Sequence, residues 1–150
     1  MLDLLLAVVH HLAVFALVGL LAAEFALLRP GLAGSRLAQL VVVDRAYGAV
    51  AGLVIVAGVL RVFFGAAGWG YYAVNWVFWA KIGAFLLVGL LSIGPTATIL
   101  RWRRNAEAEA AFAPADAELR SQQKFLYAQI AVLAFIPAFA AAMARGYGLW

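Results

Sequence analysis

Cysteine is absent from this chain. That excludes disulfides, iron–sulfur clusters and thiolate zinc sites, and it leaves the redox compartment open. Charge is scarce as well. Only 12% of the 150 residues are charged, against 67% hydrophobic, and the mean hydropathy is +1.00. A soluble domain is about half apolar. A core this small cannot hide the excess, so lipid must be part of the solvent. Histidine and methionine occur twice each. Two histidines, no cysteine and carboxylates at other depths make a metal site built from protein ligands alone a weak reading. No phosphate loop, nucleophile elbow or HExxH motif is present.

What the chain does have is four long apolar runs, at about 4–28, 44–64, 76–100 and 124–144. Each is near the ~20 residues needed to cross a ~30 Å hydrocarbon layer. Runs of this length satisfy their backbone groups as helices. The expected fold is therefore all-α, one polytopic membrane domain with four transmembrane helices in a bundle. The first run follows Met1-Leu2-Asp3, with no basic segment, and it outlasts the roughly 7–15 residues of a signal-peptide core. It is expected to stay as a span. Arg29-Pro30-Gly31 ends it. Pro114-Ala-Asp116-Ala-Glu118 has acids where a helix would begin. A helix is expected to start there and run on into the fourth span.

Positive charges give an orientation. Arg29, Arg36 and Arg45 belong to loop 1, and Arg101, Arg103, Arg104, Arg120 and Lys124 to loop 3. The other side has Arg61 and Arg145, with Lys81 just inside the third span. The positive-inside rule places loops 1 and 3 in the cytoplasm and both termini outside a bacterial inner membrane. Topology thus accounts for the basic loops, and nucleic-acid binding is not implied. Trp69, Tyr71, Tyr72, Trp76, Trp79, Tyr147 and Trp150 would then form an outer interfacial belt. Small residues such as Gly48 and Gly52, a GxxxG pair, are expected at helix contacts inside the bundle, with a dimer face as the alternative.

The ionisable residues sort into two layers. His10, His11, Arg61 and Lys81, flanked by Asn75, Trp79 and Met143, form an outer layer whose only nearby acid is Asp3. Glu24, Asp44, Arg45, Tyr47, Ser92, Thr96, Thr98, Lys124, Tyr127 and Gln129 form an inner layer of mixed sign. His10 and Glu24 are within about 40° on one helical face but roughly 21 Å apart along the axis. An intramembrane charge costs about 2.5–3.5 kcal/mol on insertion scales, so each needs a partner or water. A structural ion pair between Glu24 and Arg45 is expected; a protonatable Glu24 is the sharper alternative. For the outer layer, snorkelling of the long basic chains is the plain reading. The other is that the missing anion is a ligand: membrane lipid phosphate, a quinone oxygen or haem propionates. His10 and His11 point about 100° apart and cannot both ligate one iron. A His/Met haem through Met143 stays open.

Several segments carry a family likeness: His10-His11 with Glu24, Asp44-Arg45-x-Tyr47-Gly48, Gly58-x-x-Arg61, the run Gly68-Trp69-x-x-Tyr72-x-x-Asn75-x-x-Phe78-Trp79-x-Lys81, and Ser92-Ile93-x-Pro95-Thr96. Over nearly its whole length the chain resembles an uncharacterised family of small four-helix bacterial membrane proteins, a domain of unknown function. More distantly, His10 or His11 and Trp79-x-Lys81 look like features of the HemJ-type membrane protoporphyrinogen oxidases. That second resemblance implies haem, or a quinone-linked oxidation of a tetrapyrrole. The leading expectation is a binding or accessory membrane protein, alone, as a homo-oligomer or within a larger complex. A haem- or quinone-linked oxidoreductase is the alternative.

Overall fold

The computed structural model describes residues 1–149, so the place expected for Trp150 in the aromatic belt lies outside the described residues. Four long helices follow from the four apolar runs. They are α1 (Leu2–Leu27), α2 (Gly34–Phe64), α4 (Trp76–Ala108) and a last span split into α5 (Asp116–Leu133) and α6 (Phe135–Ala144). A six-residue helix, α3 (Gly68–Ala73), lies between α2 and α4. No strand is present among the described residues beyond an isolated bridge between Asn75 and Leu149. Four helical stretches are long and apolar enough to cross a membrane. Large apolar side chains such as Leu12, Phe15, Val56, Leu90, Ile93 and Phe135 lie on the outside. Only a lipid solvent makes that arrangement favourable.

The helices form a ring. α1 packs along α2, α2 touches α4, α4 packs on α5 and α6, and α5 returns to α1. Two ends are distinct. At one, the loop face, the Gln123 side chain donates to the Leu28 carbonyl at 2.6 Å. That fills one of the acceptors left open where α1 stops. Gly31, at φ 79°, then turns the chain toward α2. At the other, the termini face, Ala66 N–H donates to Asp3 and Trp76 N–H to the Gly148 carbonyl. Gly148 sits at φ 93°, and a Cβ there would meet Val77 Cγ2 at 2.5 Å. Both chain ends are thus tied to loop 2.

Two helices outrun the expected spans at the loop face. α2 begins at Gly34 instead of near 44, and α4 continues from 100 to Ala108. The apolar run stops there, but helix-forming Ala, Arg, Glu and Leu continue. The extension has its own core. Trp102, Leu119, Leu37, Leu40, Leu28 and Leu32 are almost fully buried. Trp102 Nε1 donates to Glu118 Oε2 at 2.8 Å. The expected helix does start at Asp116 with acids in its first turn, where they complement the helix dipole. It breaks at Ala134, contrary to expectation. Pro137, third in α6, has no N–H to give the Leu133 carbonyl, and its ring crowds that oxygen.

The glycine expectation needs correction. A Cβ on Gly48 or Gly52 would meet nothing within 4 Å, so this GxxxG does not pack inside the bundle. The close approach is elsewhere. At Gly58 a Cβ would lie 3.3 Å from His10 Cε1.

Candidate functional site

Toward the termini face, α1, α2 and α4 each contribute a basic group. The His10 ring lies against Gly58 of α2, because that residue has no side chain to keep it away. The Lys81 ammonium and Arg61 guanidinium lie within electrostatic reach of His10, and of each other. All three residues are half-buried. Lys81 Nζ sits 5.6 Å from the centre of the Phe78 ring, a cation–π distance. His10 Nδ1 and Arg61 Nε are buried and have no hydrogen-bond partner among the described residues. The two salt bridges among the described residues, Arg101–Glu118 and Arg103–Glu107, include none of these groups. Asp3, the only expected acid nearby, is engaged with the Ala66 amide.

The other residues assigned to this layer have different roles. His11 is exposed and its Nδ1 bonds to the Ala7 carbonyl of its own helix at 2.6 Å. Asn75 is fully buried as the cap of α4: Oδ1 accepts from Val77 and Phe78 N–H, and Nδ2 donates to the Tyr147 carbonyl. Trp79 is half exposed and donates to the Ala73 carbonyl at 3.1 Å. It also meets Trp69 edge-on. Met143 packs in an apolar cluster with Val77 and Phe78, and its carbonyl accepts from the Tyr71 hydroxyl. Met143 thus packs with Val77 and Phe78, while His10 lies against Gly58. The aromatic belt also divides, with Trp69, Trp76, Trp79 and Tyr147 outside and Tyr71 and Tyr72 packed inward.

A second polar cluster lies nearer the loop face and draws on all four spans. Glu24, Asp44, Tyr47 and Gln129 are each at most 5% exposed. The Tyr47 hydroxyl donates to Gln129 Oε1 at 3.1 Å. Thr96 Oγ1 donates to Asp44 Oδ1 at 2.7 Å. Glu24, Asp44 and Tyr47 lie within electrostatic reach of one another. Glu24 Oε1 and Gln129 Nε2 are buried without a partner among the described residues.

The expected Glu24–Arg45 ion pair is not made. Arg45 is exposed and lines a groove with Arg103 and Glu107 at the loop face. It is the neighbour of Asp44 in sequence, but one helical step turns it about 100° away from the interior. Ser92 and Tyr127, also placed in this layer by depth, do not join the cluster. Ser92 bonds to the Gly89 carbonyl of its own helix, and Tyr127 meets Phe25 edge-on at the surface. Sequence depth brought Asp44, Tyr47, Thr96 and Gln129 to one level. Their shared inward direction needed the helix phases as well.

A family profile matches residues 2–148, described as predicted membrane protein (DUF2214). The chain belongs to this family. The membership covers both polar clusters and agrees with the four apolar helices. No curated protein and no solved structure matches the chain. The resemblance to the HemJ-type oxidases gains no support from these comparisons.

Proposed function

We propose that this protein is an integral membrane binding or accessory protein whose His10–Arg61–Lys81 cluster holds the phosphate of an anionic lipid. One observation carries the reading. Three helices direct basic groups to one place, two buried nitrogens there lack a partner among the described residues, and no described carboxylate forms an ion pair with them. A buried donor without an acceptor is costly, and an ionised partner gives the strongest hydrogen bonds. The half-burial of the cluster within a few turns of the helix ends suits a headgroup entering from the interface. Exposed Trp69, Trp76 and Trp79 flank the same end, where indole rings favour the headgroup level. In this reading the loop face, with its eight Lys and Arg, is cytoplasmic, and the cluster serves the outer leaflet of a bacterial inner membrane.

The test is the lipid that accompanies the protein through purification in mild detergent. Extracted lipid should be enriched in anionic species over the host membrane. Each basic group near a headgroup is worth about 1 kcal/mol, so Lys81→Ala or Arg61→Gln should weaken retention roughly fivefold. An unchanged lipid complement in both variants would overturn the reading. So would a visible Soret band that shifts on reduction, which would make a haem the occupant.

A further inference from the structure

Among the described residues, no cation pairs with the two carboxyls toward the loop face. Glu24 of α1 and Asp44 of α2 are 2% and 5% exposed, inside helices that cross the membrane. No described Lys, Arg or His bridges to either one. Two nearby carboxylates repel, and hydrocarbon penalises each charge. A second, independent observation comes from a neutral residue. Gln129 is 1% exposed, its Oε1 accepts from Tyr47, which lies within electrostatic reach of both carboxyls, and its Nε2 has no partner among the described residues. An acceptor is also free, Glu24 Oε1. Buried polar atoms of this kind are rare: the free Glu24 oxygen calls for a proton or a cation, and the free Gln129 N–H for an acceptor oxygen.

We infer that Glu24 and Asp44, with Thr96, Tyr47 and Gln129 around them, form a membrane-embedded binding site for one monovalent cation. The cation is either a proton bound to a carboxyl oxygen or a sodium ion held by the oxygens. Either one removes the repulsion and leaves the pair with a single negative charge. The groups that face the pair are Tyr47 on α2, Thr96 on α4 and Gln129 on α5, all uncharged at neutral pH. Thr96 Oγ1 already donates to Asp44, while Glu24 Oε1 has no partner among the described residues, so Glu24 is the carboxyl that takes the proton in the first case. This site is independent of the basic cluster, and lipid retention there has no bearing on it.

The experiment is infrared spectroscopy of the full chain in lipid nanodiscs at neutral pH, with and without sodium, using choline chloride to hold ionic strength. If a proton is the occupant, a protonated-carboxyl carbonyl band is present, ignores sodium and disappears in Glu24→Gln. If sodium is the occupant, the band is absent or removed by sodium. The thermal midpoint then rises with sodium in the wild type, and in neither Glu24→Gln nor Asp44→Asn. Glu24→Gln keeps the side-chain shape, and Asp44→Asn supplies a second variant should one fail to fold. Two ionised carboxylates with no response to sodium would overturn the proposal. A carboxyl band that persists in both variants would do the same.

Discussion

Tyr47 and Gln129 are 82 positions apart and share one buried hydrogen bond at 3.1 Å. Inside a membrane bundle such bonds average about 0.6 kcal/mol in double-mutant cycles, because the unfolded chain also finds partners. Tyr47→Phe, Gln129→Leu and the double variant should therefore show a coupling of roughly 0.6 kcal/mol. Equilibrium unfolding in detergent measures it, and strict additivity would mean the bond carries no stability. Asn75 does more. Its side chain caps α4 and holds the C-terminal segment through Tyr147. Loss of an N-cap side chain costs about 0.5–2 kcal/mol, so Asn75→Ala should lower the melting midpoint and loosen the C-terminus. Faster hydrogen exchange at Trp76, whose amide bonds to Gly148, would show the second effect. The sequence placed Asn75 beside Lys81 as a ligand-site residue. Its buried capping role was hidden because the Tyr147 carbonyl arrives from 72 residues away.

Among the elements, the part outside the apolar runs is the most informative. α2 and α4 extend past the lipid-length stretch and close over Trp102, which is 0% exposed. Burying a large aromatic in a core is typically worth 3–5 kcal/mol when truncated to Ala. Trp102→Ala should lower stability by about that much, and Trp102→Phe by less, since it loses chiefly the bond to Glu118. Thermal unfolding in detergent would rank the two, and equal loss would show that the hydrogen bond dominates over packing. Span number and approximate limits were legible, because hydropathy reports lipid contact directly. The extra turns were not, since helix formation continues where apolarity stops. Arg101-Trp102-Arg103-Arg104 looked like a basic stop signal, yet its Trp is a core residue. The break at Ala134 had one sequence sign, Pro137.

At the scale of the whole molecule, the two polar clusters lie at different depths in one ring of helices and differ in charge. One is basic and near the termini face; the other is acidic and nearer the loop face. The sequence reading assigned them to an outer and an inner layer. It could not phase Glu24 against Arg45, because partner choice depends on the direction each helix faces. The orientation makes a distinct prediction. A cysteine in place of Ala67, next to Gly68, should react with a membrane-impermeant thiol reagent in intact cells, and one in place of Ala106 should not. The reverse pattern would put the basic cluster in the cytoplasmic leaflet. The absence of native cysteine leaves the labelling without background.

Native mass spectrometry of the protein released from mixed-lipid nanodiscs shows whether the His10–Arg61–Lys81 cluster holds an anionic lipid. The wild-type chain should retain one anionic lipid and little zwitterionic lipid, and the Arg61→Gln, Lys81→Gln double variant should lose that adduct. Equal retention of anionic and zwitterionic lipids, or an adduct unchanged in the double variant, would contradict it.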